Sequence, residues 1–268
     1  MTRLFSLAYL TSHRCTVAQA FRVAHEAGYH AVGLRLSPNA PGAPHQALLG
    51  QPELMREALA IQRDTGVAVF DLEIIRIGPT FELHAWDALL AAGQALGARA
   101  VLVAGDDPDR SRLADHYAQL CEHLAQHQLT ADLEFMPWTP VACARDAVDV
   151  LQRAGAPANA GILVDALHVG RSHTSLQDLR DIPRHWLHYA QICDAQAGTH
   201  FDTEALIFTA REERLLPGEG DIDLKGIFQA LPADLPVSVE VISKRREAQF
   251  DPLAWAKTCL QASLPNVI

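Results

Sequence analysis

Four oxygen-bearing side chains stand at the ends of four apolar runs in the second half of the chain: Glu134 in DLEFMP, Asp165 in GILVDALH, Gln191 in HYAQICDA and Glu240 in VSVEVIS. A carboxylate that follows a buried strand is costly to bury unless it has a partner. Asp165 alone could simply cap the following helix. Three carboxylates in one place, however, would repel one another and raise their pKa values. A divalent cation removes that conflict, so the pattern favours a metal site.

The ligand types narrow the identity of the metal. An oxygen-rich set with open coordination positions suits Mn²⁺ or Mg²⁺ better than a zinc site made of His and Cys, although Zn²⁺ and Co²⁺ stay open. The competing interpretation is a salt-bridged cluster of carboxylates. Because few Lys or Arg residues lie on these runs to supply such a cluster, we expect one divalent metal ion.

The elements that must position these residues are eight strand–helix units. Apolar runs predict strands at 4–9, 31–36, 67–75, 100–104, 130–136, 161–165, 188–194 and 236–242. Helix starts are predicted by the pairs Thr16/Gln19 and Thr174/Gln177, which have capping-box spacing, and by the dipeptides Asp107-Pro108 and Thr139-Pro140.

The strand starts recur every 27 to 36 residues up to the seventh run, and 48 residues separate the seventh start from the eighth. Such regular spacing without a break in composition predicts one (β/α)₈ TIM barrel over residues 1–268. An open doubly wound sheet is the alternative, but no G-x-G-x-x-G fingerprint follows an early strand. The extra length at about 195–220 is predicted to be an inserted active-site loop that could cover the substrate. His200 could form part of that lid or could be ordinary packing.

Strand alternation predicts which side chains face into the barrel. If Glu134 and Glu240 point inward, their apolar neighbours in the same runs point toward the helices. Asp132 shares the inward parity of Glu134 but lies deeper, and the sequence suggests no partner for it.

Further polar and aromatic residues are expected at the same mouth, because active sites of such barrels lie at the carboxyl ends of the strands. Arg35 lies near the end of the second strand, and Glu73 and Arg76 lie at the end of the third. An arginine there could bind a carboxylate or phosphate bidentately, or it could pair with Glu73 as scaffold. Trp138 could form an apolar wall or could be ordinary packing.

Composition excludes several classes of protein. The net charge of −10 argues against a nucleic-acid partner. No apolar run approaches 18 residues, which argues against a membrane span. Five cysteines without C-x-x-C spacing fit reduced thiols and a cytoplasmic location. No apolar stripe identifies a self-contacting face, so a homo-oligomer stays an open alternative.

The set Glu134, Asp165-x-x-His168, Gln191 and Glu240, with Arg214 before the turn LLPGEGDIDL, resembles the xylose isomerase-like TIM barrel superfamily over nearly the whole chain. The resemblance implies that the metal ligands are Glu134, Asp165, Gln191 and Glu240. It also implies that His168 and Arg214 touch substrate oxygens, and that one glutamate removes a proton which the other returns.

The resemblance implies a metal-dependent isomerase or epimerase of a sugar or a related small polyhydroxy carbonyl compound, acting through an enediolate. The alternative is a dehydratase of a cyclic keto-polyol or keto acid, because the epimerases usually carry His where this chain has Gln191. In that variant His168 would act as acid or base. A DNA-repair endonuclease of the same fold would need many more His ligands at strand ends. A non-catalytic ligand sensor would bind metal without exchanging protons.

Overall fold

Eight apolar runs of the sequence form strands, each parallel to its neighbours. They are β1 (Phe5–Leu7), β2 (Ala31–Leu34), β3 (Ala68–Ile77), β4 (Ala100–Gly105), β5 (Thr130–Glu134), β6 (Ala160–Asp165), β7 (Ala190–Ile192) and β8 (Val237–Val239). The structure is a computed structural model that describes residues 3–40, 42–198 and 201–267. The strands close in sequence order, because β1 pairs with both β2 and β8. The predicted (β/α)₈ barrel is confirmed.

Helices surround the barrel and lie on the connections between strands. They are α1 (Tyr9–Ser12), α2 (Val17–Ala27), α3 (Pro52–Thr65), α4 (Asp87–Leu96), α5 (Arg110–Gln126), α6 (Ala144–Arg153), α7 (Ala166–Arg171), α8 (Leu176–Arg180), α9 (Thr203–Glu212), α10 (Leu224–Ala230), α11 (Lys244–Glu247) and α12 (Pro252–Ser263). Short 3₁₀ helices occupy Leu83–Trp86, Arg184–Trp186 and Leu264–Asn266. Among the described residues, no helix is both long enough and apolar enough to cross a bilayer.

The main core lies between the barrel and the helices. The predicted alternation is confirmed, because the neighbours of the two inward glutamates pack in this core: Leu133, Phe135, Val239 and Val241. Burying one such side chain stabilises the fold by roughly 1.5–3 kcal/mol. A smaller apolar cluster that includes Phe70 and Leu163 fills the barrel interior, so the inside of the barrel is packed below the polar mouth.

Several predicted helix starts are displaced. Helix α5 begins at Arg110 with Asp109 as its N-cap, because Asp107 instead accepts two 2.7 Å hydrogen bonds from Arg112. Helix α6 begins at Ala144, whereas Thr139 closes a turn with Met136 and Val141. Helix α8 is capped by Ser175 rather than by Thr174. The capping box of Thr16 and Gln19 is confirmed.

The deep carboxylate Asp132 has two partners at the lower part of the barrel. His188 Nδ1 lies 2.8 Å from Asp132 Oδ1, and the Thr130 hydroxyl donates to Asp132 Oδ2 at 2.5 Å. Gly161 makes this arrangement possible, since a Cβ there would collide with both Asp132 and His188. Asp132 therefore belongs to the scaffold rather than to the mouth.

The segment 195–220 is not an unstructured loop throughout. It contains the ten-residue helix α9, capped by Asp202, whose side chain accepts a hydrogen bond from Ala205 N at 2.8 Å. Asp194 anchors the far end of the segment by accepting hydrogen bonds from the backbone of Gly218, Gly220 and Ile222. His200 lies outside the described residues. The insertion is thus held at its end by buried backbone contacts.

Candidate active site

A cavity of about 270 Å³ opens at the carboxyl ends of the strands. Its walls come from the segments after β1 and β2, from β3, from the end of β5, and from helix α9 with the chain that follows it. Glu134, His168, Arg214 and Glu240 all line it. The cavity therefore lies where the sequence places the chemistry.

The four residues predicted to bind metal occupy equivalent positions on consecutive strands. Glu134 and Asp165 are the last residues of β5 and β6, Gln191 lies in β7, and Glu240 directly follows β8. Asp165 and Gln191 are direct partners in the parallel register of β6 and β7. All four side chains are buried. The Gln191 amide nitrogen donates to Glu240 Oε1 at 2.9 Å, so the last two are in direct contact.

Arg214 supplies positive charge to this cluster from outside the strands. Its guanidinium lies 2.7 Å from Asp165 Oδ2 and 2.7 Å from Glu240 Oε2. Its Nε donates to the Ala210 carbonyl at 3.0 Å, which ties the cluster to helix α9. The expectation that few cations lie near these carboxylates holds for the strands, but it omitted Arg214, which lies outside them. One guanidinium still faces three carboxylates.

Asp165 both caps a helix and contributes to the carboxylate cluster, the two roles that the sequence leaves open. Its Oδ1 accepts a hydrogen bond from Leu167 N at 2.8 Å and so caps helix α7. Its Oδ2 faces the cluster, 3.7 Å from His168 Nε2. His168 Nε2 also lies 3.6 Å from Glu134 Oε1. One ligand atom from each of Glu134, Asp165 and His168 lies within 4.8 Å of the others, so His168 is a further candidate ligand.

Burial and neighbouring charges shift the pKa values of the two glutamates, Asp165 and His168 in different directions. Desolvation, followed by the charges of Asp165 and Glu240, raises the pKa of Glu134 well above its usual value. Desolvation raises the pKa of Glu240 to about 8 against the opposing effect of Arg214. Burial also opposes ionisation of Asp165, but Arg214 and His168 hold its pKa below the ordinary value. Desolvation lowers the pKa of His168 to about 4, so its imidazole is neutral near pH 7.

The donor set fits a divalent cation. The Gln191 Oε1 atom is buried and has no hydrogen-bond partner among the described residues. An unpaired buried amide oxygen costs about 1–3 kcal/mol, which a cation would offset. Desolvation, together with neighbouring carboxylates, raises the pKa values of Glu134 and Glu240, and a bound cation would oppose that rise. Oxygen donors with a neutral imidazole are ligands that Mn²⁺, Mg²⁺ and Zn²⁺ accept.

The five residues predicted to bind substrate all line the cavity, and four of them already form ion pairs. Arg35 lies 2.9 Å from Glu73 Oε1, as the scaffold interpretation expects. Arg76 pairs instead with Asp106 at 2.6 Å. The Trp138 ring packs edge-on against His168, with centroids 5.1 Å apart, and so fixes the imidazole.

Two cationic residues of the cavity wall were not predicted from the sequence. Arg211 comes from helix α9, and Lys244 from helix α11. Arg211 lies in the last turn of helix α9, whereas Arg214 follows the end of that helix at Glu212. No strand-end pattern in the sequence marks Arg211 or Lys244, because both come from connecting helices.

A second group of possible metal ligands lies on the outside of the barrel. His123 Nε2 lies 2.7 Å from Asp87 Oδ1, and His84 Nδ1 lies 3.4 Å from the same oxygen. His84 and Asp87 are exposed, and His123 is partly buried. This group is remote from the cavity, so experiments on metal content must separate it from the mouth.

Comparison with known proteins gives the same fold. The family model for the xylose isomerase-like TIM barrel matches residues 21–259. No curated protein matches the sequence. Among solved structures, a fusion of a xylose isomerase-like TIM barrel with 4-hydroxyphenylpyruvate dioxygenase is 20% identical, with a TM-score of 0.79. The match covers 98% of this chain but only 42% of the fusion protein.

Two other structures match along nearly their full length. IolI with a bound zinc atom is 15% identical, with a TM-score of 0.77 and 98% of both chains covered. The probable 3-DHS dehydratase AsbF of Bacillus anthracis is 14% identical, with a TM-score of 0.75, 96% of this chain and 98% of that chain covered. Identities this low establish a shared fold and leave the reaction open.

Proposed function

Because the chain belongs to the xylose isomerase-like TIM barrel family, we propose that it is a metal-dependent isomerase or epimerase of a small polyhydroxy carbonyl compound. Its reaction would begin with removal of a proton from the carbon next to the carbonyl. The observation that carries this proposal is the buried cluster of Glu134, Asp165 and Glu240 at the cavity, in which Arg214 pairs with Asp165 and Glu240.

Glu134, Asp165, Gln191 and Glu240 would hold the metal, with His168 as an additional ligand or a neighbour. A bound divalent cation supplies Lewis-acid stabilisation of negative charge on substrate oxygens. Mn²⁺ or Mg²⁺ suits the oxygen donors best, and the zinc atom bound by IolI, which shares the fold, supports a divalent ion.

Glu134 is the better proton acceptor of the two glutamates. Both Glu240 oxygens are engaged, by Gln191 and by Arg214. Glu134 accepts no hydrogen bond from the described residues, and its Oε1 lies 3.6 Å from His168 Nε2. Its raised pKa makes its carboxylate a stronger base once ionised. The neutral imidazole of His168 could then pass the proton onward, while Trp138 excludes water from one side.

A dehydratase of a cyclic keto-polyol or keto acid is the second candidate. It would use the same proton abstraction and then expel a β-hydroxyl, to which His168 could deliver a proton. Gln191 favours it, because the sugar epimerases usually carry His at this place. The shared fold with the probable dehydratase AsbF also supports it, although sugar 3-epimerases have the same fold.

The two candidates are separated by one pair of assays on Mn²⁺-loaded protein. The panel is D-ribulose, D-xylulose, 2-keto-myo-inositol and 3-dehydroshikimate in D₂O, followed by proton NMR and ultraviolet absorbance. Deuterium uptake without new absorbance supports the isomerase or epimerase. A new enone or aromatic absorbance supports the dehydratase.

Glu134→Gln should reduce the rate of whichever reaction is observed by at least about 10²-fold, because it removes both the general base and a metal ligand. The exposed Glu204→Gln is the matched control and should leave the rate unchanged. Protein that holds stoichiometric metal but exchanges no proton with any of the four compounds would argue instead for a ligand sensor.

A further inference from the structure

Three guanidinium groups stand together on one side of the cavity. We name Arg35, Arg76 and Arg211 the arginine cluster. Arg35 follows β2, Arg76 lies in β3 and Arg211 lies on helix α9, and all three line the cavity. Two positions on the barrel and one on the insertion therefore meet at one wall.

Most cations of the cavity wall have a carboxylate partner. Arg35 pairs with Glu73 at 2.9 Å, and Arg76 pairs with Asp106 at 2.6 Å. Lys244 likewise lies 2.5 Å from a carboxylate oxygen of helix α9. Within each of these three pairs the two charges cancel.

Arg211 is the exception. Within residues 3–40, 42–198 and 201–267, its side chain has no ion-pair partner within 4.0 Å and donates no hydrogen bond. Its pKa is lowered, first by desolvation and then by the positive charges of Arg76 and Arg35, which outweigh the opposing effects of Asp106 and Glu212. A third guanidinium beside two others is electrostatically unfavourable unless something negative joins them. Arg35 adds an unmet donor, because its Nε is buried without a hydrogen-bond partner.

We propose that the arginine cluster binds an anionic group of the substrate, a carboxylate or a phosphate, with Arg211 as the specificity-determining contact. The planar guanidinium matches both groups with paired hydrogen bonds. The inference rests on the proposed function, since it assumes that the reacting oxygens occupy the Glu134 side of the same cavity. It narrows the substrate class to acidic polyhydroxy carbonyl compounds, and it assigns the recognition of the acid to the insertion.

Matched probe pairs test the cluster by calorimetry on Mn²⁺-loaded protein. The pairs are 3,4-dihydroxybenzoate against catechol, and dihydroxyacetone phosphate against dihydroxyacetone. In each pair both members offer adjacent oxygens to a metal, and only one carries the anion. We expect at least one anionic probe to bind about tenfold or more tightly than its neutral partner, and the pair that shows the preference identifies carboxylate or phosphate.

Arg211→Gln should remove that preference and leave neutral-probe affinity unchanged, while Arg211→Lys should retain part of it. Arg63→Gln, an exposed arginine on helix α3, is the matched control and should behave as wild type. Equal affinity within both pairs, or an Arg211→Gln variant that keeps the preference, would overturn the inference.

Failure of this inference differs from failure of the proposed function. Protein that binds metal and exchanges substrate protons without an Arg211-dependent preference would refute only the anion subsite. Titration of benzoate or inorganic phosphate into metal-free protein tests whether the arginine cluster binds an anion without the metal. Binding that Arg211→Gln abolishes would support the cluster even where the metal proposal fails.

Discussion

Replacing Arg214 by Met tests the electrostatic reasoning about the mouth. The Arg214 side chain is only 3% exposed, and it forms 2.7 Å ion pairs with Asp165 and Glu240. Its removal would leave two buried carboxylates without their cation. Breaking a buried ion pair from one side costs about 3–5 kcal/mol, whereas an exposed pair contributes less than about 1 kcal/mol. We therefore expect Arg214→Met to lower the free energy of unfolding of metal-free protein by about 3–5 kcal/mol.

The assay is urea unfolding in EDTA, monitored by circular dichroism. Arg184→Met is the matched control, because the Arg184–Asp234 pair is more than half exposed on both sides. It should cost less than about 1 kcal/mol. Adding Asp165→Asn to Arg214→Met should recover part of the loss, since it removes one uncompensated charge. A loss below about 1 kcal/mol for Arg214→Met would refute the reasoning, because Arg214 would then not be the main compensating charge.

Three further predictions concern protons and packing. Burial raises the pKa of Glu240 to about 8 in the metal-free protein and raises that of Glu134 as well, so protons compete with metal. The Mn²⁺ affinity by calorimetry should therefore rise at least about tenfold per pH unit up to about pH 8; a flat profile would contradict this. Burial lowers the pKa of His188, but the hydrogen bond to Asp132 outweighs it and raises the pKa above 6.5. The pair thus stabilises the fold at low pH, and its contribution is lost as the pH rises through the raised pKa. The stability advantage of wild type over His188→Gln should be larger at about pH 6 than at about pH 9, and an equal difference would exclude this role. Gly161→Ala should destabilise the fold by about 2 kcal/mol or more in thermal unfolding, because its methyl group collides with the Asp132–His188 pair. In the control Gly78→Ala the added methyl group meets no atom within 4 Å, so this variant should be nearly neutral. Similar losses of stability in the two variants would contradict the packing argument.

The barrel and its inward residues could be predicted because strand alternation is a local property of the sequence. Glu134 stands between Leu133 and Phe135, and Glu240 between Val239 and Val241, so parity alone assigns each glutamate to the barrel interior. The closure of the strands then brings them to one mouth. The predicted ligands and substrate contacts do lie around that mouth, while their roles stay predictions.

Contacts distant in sequence could not be predicted in the same way. Asp107 has the composition of an N-cap, but Arg112 recruits its carboxylate and the helix starts later. Asp132 finds its partner at His188, 56 residues away, and no local pattern signals that pairing. Arg214 reaches Asp165 across 49 residues, which is why a search confined to the strands underestimated the positive charge at the mouth.

Metal content of the purified protein tests the central claim most directly. The measurement is elemental mass spectrometry on a His84→Gln background, which removes the external His84–Asp87–His123 group as a source of bound metal. We expect close to one Mn, Mg, Zn or Co per chain in the His84→Gln parent after reconstitution. Adding Glu134→Gln or Asp165→Asn to this parent should abolish the metal binding. No metal in the parent, or unchanged metal in both variants, would contradict the account, and the carboxylates would then be a hydrogen-bonded barrel mouth without a metal.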